Sequence, residues 1–221
     1  MGTDVDISCI AFGDGTFVTA GEVIVSHPGE PSVPMWASSD GVNWTPVQAP
    51  LKNDGIAGIT YGDQQFVVTT TMCALMTSPD GITWTVQKPG QSGSLTSISV
   101  LTEVGYGNNT FVAVGGSGTF NPASFNNGVI LTSSDGANWN NQSSGIQGLL
   151  VGVAYGNQAF VAVGCGGVIL TSQNGQTWTS QSSGTQDDFL QVTYGNDTFV
   201  VAGYKGIILQ SGAISQNSGQ Y

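Results

Sequence analysis

One stretch of the sequence, YGNQAFVAVGCGGVILTSQNGQTW from Tyr155 to Trp178, has four degenerate copies elsewhere in the chain, and no other feature constrains the fold as much. The copies open FGDGTFVTAG at Phe12, YGDQQFVVTT at Tyr61, YGNNTFVAVG at Tyr106 and YGNDTFVVAG at Tyr194, at spacings of 49, 45, 49 and 39 residues. Units of about forty residues point to an array of like modules. Within a unit, runs such as FVAVG and GVILTS are β-branched or aromatic and are bounded by Gly, Asn and Ser. They lack the apolar recurrence at three and four residues that a helix needs, so they read as short strands.

Four strands, a to d from the inside outward, fit each unit. A sheet that small cannot bury its own faces, so five must pack against one another, and a closed ring leaves no long bare edges. The expected fold is all-β, a five-bladed β-propeller of four-stranded antiparallel blades. It forms a single domain, 1–221, with blades near 5–50, 51–90, 91–145, 146–185 and 186–221. The rival is a parallel β-helix, whose rungs run nearer about twenty residues and rarely carry two tight antiparallel turns each. Small residues on strand a (Ala11, Gly58, Thr60, Gly105, Gly152 and Ala154) suit strands converging on an axis, with Cys9, Glu103 and Gln191 as exceptions. In blade 5 the c-to-d turn is shortened: Ser211, Gly212 and Ala213 are expected to form a tight hairpin, so that the blade supplies its own d strand ending near Tyr221.

The chain has three Lys and no Arg against 14 carboxylates, a net charge of -11. Such a surface repels phosphate backbones and anionic lipid, which excludes nucleic-acid binding. No stretch is long enough to span a bilayer as a helix, so no membrane insertion is expected. The N-terminus, MGTDVDIS, shows no basic and apolar leader. A polar surface of Ser, Thr, Asn, Gln and Gly with few charges points to an extracellular or virion-surface protein.

Four c-to-d turns share a pattern: SSDGVNW with Ser38, Asp40 and Trp44; SPDGITW with Ser78, Asp80 and Trp84; SSDGANW with Ser133, Asp135 and Trp139; and SQNGQTW with Ser172, Asn174 and Trp178. The pattern resembles the Asp-box, or BNR, repeat of sialidase-like and related propellers, although here Gly directly follows Asp and one residue is missing before Trp. The resemblance implies a structural element. The Asp or Asn side chain accepts backbone N–H bonds across the turn, Gly supplies a positive φ, and Trp packs between blades. The longer repeat is also similar to those of bacterial surface and phage tail-fibre proteins.

In such a blade the a-to-b and c-to-d turns share one face of the disc, and the b-to-c and d-to-a loops share the other. The first face is regular. On the second, the spacing from the end of strand b to the Ser of the turn is 8 residues in blades 2, 4 and 5, but 17 in blade 1 and 18 in blade 3. Trp84 to Tyr106 is also the longest d-to-a connection, 22 residues. Loops carried on a rigid scaffold are where recognition residues sit. The candidate ligand contacts are therefore His27, Glu30, Met72, Phe120, Phe125, Asn126 and Asn127.

Catalysis has little support. A sialidase needs an arginine cluster for its substrate's carboxylate, and this chain has no arginine. Glu30, Asp54, Glu103, Asp187 and Asp188 carry no motif that would mark a glycosidase pair. One His and three scattered Cys make no zinc spacing, so no metal and no cofactor is expected. Two classes remain. One is a non-catalytic binding module, with carbohydrate as the first expectation and the b-c/d-a face as its site. The other is an assembly subunit of a phage tail, filament or surface layer, a homo-oligomer using the same loops for protein contacts.

Overall fold

The structure is a computed structural model in which residues 5–23, 34–51, 54–87, 99–118 and 125–212 are described. The blade 1 and blade 3 insertions that hold His27, Glu30 and Phe120 lie outside these residues, as does the outermost strand expected to end near Tyr221. The described residues form five antiparallel sheets, each a meander in chain order. Blade 1 comprises β1 (Val5–Gly13), β2 (Thr16–Val23), β3 (Pro34–Ser38) and β4 (Thr45–Gln48). Blade 2 comprises β5 (Ile56–Gly62), β6 (Gln65–Thr70), β7 (Leu75–Ser78) and β8 (Thr85–Gln87). Blade 3 comprises β9 (Ser99–Gly107), β10 (Thr110–Gly118), β11 (Phe125–Ser133) and β12 (Asn140–Ser143). Blade 4 comprises β13 (Leu150–Gly156), β14 (Ala159–Gly164), β15 (Ile169–Ser172) and β16 (Thr179–Gln181). Blade 5 has three described strands, β17 (Phe189–Gly195), β18 (Thr198–Gly203) and β19 (Ile208–Gln210).

The a-to-b hairpins are two-residue turns in which both residues take positive φ, for example Asn108 at 46° and Asn109 at 53°. This is the type I′ geometry whose twist matches the flanking strands, and Asn and Asp tolerate it better than other side chains. Every innermost strand also slips register by one residue, between Ile7 and Cys9, Ile56 and Gly58, Leu101 and Glu103, Leu150 and Gly152, and Phe189 and Gln191. Such a bulge re-aims the next side chain. In two blades the bulged residue ties the blade to its successor: Ser8 Oγ donates to the Ile56 carbonyl at 2.8 Å and Thr102 Oγ1 to the Leu150 carbonyl at 2.8 Å.

Hydrophobic burial lies between blades. One core joins Val18, Ala20 and Met35 of blade 1 to Ile56, Ile59, Phe66 and Trp84 of blade 2. A second joins Val67 and Leu75 to Leu101, Phe111 and Trp139. A third joins Val112, Val114 and Ile130 to Leu150, Val153 and Phe160. The fourth joins Val161 and Val163 to Phe189, Val192 and Phe199. Strand contacts follow the same succession, β1 on β5, β5 on β9, β9 on β13 and β13 on β17.

Among the described residues there is no fifth core, and β17 makes no comparable contact with β1. Among the described residues blades 1 and 5 thus do not pack on one another as the other neighbouring blades do, where the repeat count had led us to expect a closed ring. Closure depends on the rotation from each blade to the next, which side-chain bulk at the interfaces sets and the number of repeats does not.

Candidate functional site

The regular face of the disc is built by the SxDG turns. In blade 1, Ser38 Oγ donates to Asp40 Oδ1 at 3.0 Å and accepts from Gly41 N at 2.9 Å, while Asp40 Oδ1 accepts from Val42 N at 2.8 Å and Asn43 N at 2.7 Å. Ser78 with Asp80 and Ser133 with Asp135 repeat the arrangement, and in blade 4 Ser172 and Asn174 make it without a charge. The indole of Trp44, Trp84, Trp139 or Trp178 closes each turn by donating to the carbonyl of its glycine. Donated N–H bonds favour a carboxylate's charged form. Those from Asn43 hold Asp40 well below the usual range, and those from Asn138 lower Asp135 to about 2. The Asp and Asn side chains of these turns accept their hydrogen bonds from within their own turns. The a-to-b turn of one blade also meets the next blade's SxDG turn, with Asn108 Nδ2 donating to the Gln173 carbonyl at 3.4 Å.

On the opposite face the d-to-a segment hydrogen-bonds the b-to-c turn: Thr71 N to the Gly55 carbonyl, Cys165 N to that of Leu149, and Tyr204 N to that of Asp188. Phe125 and Asn127 lie here at the start of β11, beside Gly118 and Ser117 of β10. Asn126 falls between them at a register shift. Asn127 lines a cleft of about 360 Å3 together with Ser117, Asn141, Gln142, Ser143, Ser144 and Gln147. No charged side chain lines it. Met72 occupies the blade 2 turn, largely exposed, with its N–H donating to Asp54 at 3.0 Å, and it does not line this cleft. Of the expected contacts among the described residues, Asn127 lines the cleft, whereas Phe125 and Met72 do not. The β12 residues and Gln147 were missed in the sequence. They stand in no insertion: the pairing of β11 with β12 carries Asn141, Gln142 and Ser143 to the cleft, and Gln147 comes from the segment after β12.

At the hub, the residue after each bulge faces the axis. Glu103 accepts from Val104 N at 3.0 Å and from Gln191 Nε2 at 3.5 Å, and a side chain at Gly58 would fall 2.6 Å from Glu103 Oε1. Gly58 and Gly152 therefore make room for Glu103 and Gln191. Burial raises Glu103 to about 7 and the Cys9 thiol to about 12. The three cysteines are free. Among the described residues no cluster of His, Cys, Asp and Glu could hold a metal ion, and no helix is long and apolar enough to cross a membrane.

No family model and no curated protein matches the sequence. Solved structures do. The chain of YCF48 bound to D1 peptide aligns with a TM-score of 0.67 at 16% identity, covering 96% of this chain and 65% of that one. A chain of a nidogen/laminin complex aligns with a TM-score of 0.64 at 16% identity, over 90% and 72% of the two chains. The computationally designed Ika4 protein gives 0.54 at 13% identity, over 75% and 95%. The chain is a β-propeller. This propeller spans slightly less than two thirds of the YCF48 chain it matches.

Proposed function

We propose that the propeller is a non-catalytic binding module that takes a carbohydrate at the polar cleft of blade 3, displayed at a cell or virion surface. The carrying observation is the convergence of Asn127, Asn141, Gln142, Ser143, Ser144 and Gln147 in one uncharged cleft. Amides and hydroxyls both donate and accept, which matches the hydroxyl pattern of a neutral sugar. Three of the loop acids are held by neighbouring groups. Asp54 accepts from Gly55 N, Thr71 Oγ1 and Met72 N, Asp188 accepts from Gly166 N, and Asp187 pairs with Lys205. The YCF48 structure contains a bound D1 peptide and the nidogen structure a laminin partner, which supports recognition as the use of such a scaffold. We read the SxDG turns as a shortened Asp-box, a folding element of this module.

A glycan array on the 221-residue chain tests the reading. Saturable binding to defined neutral sugars, lost when Asn127 and Asn141 are both changed to Ala, is the expected result. A blank array, or binding unaffected by the double change, overturns the carbohydrate assignment.

A further inference from the structure

Among the described residues, blades 1 and 5 expose the two halves of one interface. On blade 1, Ile10 is 59% exposed, whereas its equivalents Ile59 and Val104 are 7% and 3% exposed because the preceding blade covers them. Ile7 and Phe12 are exposed in the same way, and with Trp36 and Trp44 the face forms a groove of about 560 Å3 lined by Ile7, Ile10, Thr19, Trp36 and Trp44. Gly41 is exposed, whereas Gly81, Gly136 and Gly175 are buried against the preceding blade. On blade 5, Ile208 is 70% exposed, whereas its equivalents Met35 and Leu75 are 1% and 0% exposed beneath the following blade. Leu190 and Ala202 are exposed beside it. One seat also differs. The rings of Tyr61, Tyr106, Tyr155 and Tyr194 lie on Gly13, Gly62, Gly107 and Gly156 of the preceding blades, but no described residue lies within 4 Å of a Cβ at Gly195. The aromatic at the matching position is Phe12 of blade 1.

We infer that blade 5 of one chain seats on blade 1 of a second copy, with Phe12 of the second copy over Gly195 of the first. Three observations select a second copy as occupant. Both halves belong to this chain, both consist of the residue types that form the four internal cores, and the contact continues an interface already made four times within each molecule. Apolar faces of this kind rarely stay bare. The contact is head-to-tail, so successive copies either close into a larger ring or extend as a helix. It involves neither the cleft of blade 3 nor its ligand, and it stands whether or not the array shows binding.

Sedimentation of the unmodified chain over a wide concentration range tests it first. Reversible association in multiples of 22.7 kDa is expected, weakened about tenfold or more by Phe12→Asp, a central aromatic of the contact. A monomer at every concentration, or association indifferent to Phe12→Asp, overturns the proposal. The pairing is then read by mixing two single variants, Phe12→Cys and Gly195→Cys, each with Cys9, Cys73 and Cys165 changed to Ser. A disulfide-linked heterodimer is expected. If instead the two changes placed in one chain give only an internal crosslink and the mixture gives none, the chain closes on itself and the proposal fails.

Discussion

The ring of Tyr61 lies directly over Gly13 of the preceding blade, so close that any Cβ at position 13 would overlap it. The same pair recurs as Tyr106 over Gly62, Tyr155 over Gly107 and Tyr194 over Gly156, and each tyrosine in turn packs on its own blade's Phe at 4.5 to 4.8 Å between ring centroids. Gly107→Ala is therefore expected to cost about 1–3 kcal/mol, the penalty for forcing an extra carbon into a packed contact. Gly195→Ala, with no described residue before it, should change stability by no more than about 0.5 kcal/mol. Urea denaturation of both variants at low protein concentration checks the contrast. Equal losses would mean that the fifth aromatic seat is filled within a single chain.

Asp135 is held at about 2, below its ordinary 3.8, by N–H groups that bond its charged form. A depressed folded-state pKa gives stability that is present above the unfolded value and lost as pH falls through the folded one. The acid limb of the stability profile should therefore drop between about pH 4 and 2. Asn174 already makes the same turn in blade 4 without a charge, its Oδ1 accepting from Gln176 N and Thr177 N at 2.9 and 3.0 Å. Asp135→Asn is thus expected to fold normally at neutral pH and to flatten the acid limb. Denaturant midpoints from pH 2 to 7 for the two proteins would show it, and an unchanged limb would count against this role.

Glu103 titrates in the opposite sense. Burial raises it from 4.5 to about 7, so folding opposes its ionisation. A raised folded-state pKa leaves stability intact below about 4.5 and removes it as pH rises through 7. Glu103→Gln keeps the shape and an acceptor for Val104 N. It should match the parent at pH 4.5 and exceed it by about 3–4 kcal/mol at pH 8.5, the order expected from a shift of this size at about 1.4 kcal/mol per pKa unit. Chemical denaturation at the two pH values measures the difference. An equal gain at both would assign the effect to packing instead.

The strands were legible because each is short, β-branched and bounded by turn residues, and because Ser38, Asp40 and Trp44 recur in register with their equivalents. Those signals are local, and a repeated sequence prints them several times. The cleft was legible only at Asn127, which stands beside an insertion. Asn141 and Ser143 reach it through the pairing of β12 with β11, a relation between segments that neither segment encodes alone. The inner bulges escaped notice because Ser8, Ala57, Thr102, Val151 and Leu190 share no residue type, and a one-residue slip leaves no mark on composition.

The repeated spacing of FVAVG, TS and DG was enough to dictate strand, turn and blade, since those depend on backbone propensity, side-chain alternation and a hydrogen bond across a few residues. Whether the blades meet again after five of them was settled only in three dimensions. Ile10 and Ile59 read alike in sequence, yet one is exposed and the other buried. The difference lies in whether a neighbouring blade reaches them, which follows from rotations accumulated over four interfaces. No single repeat carries that sum.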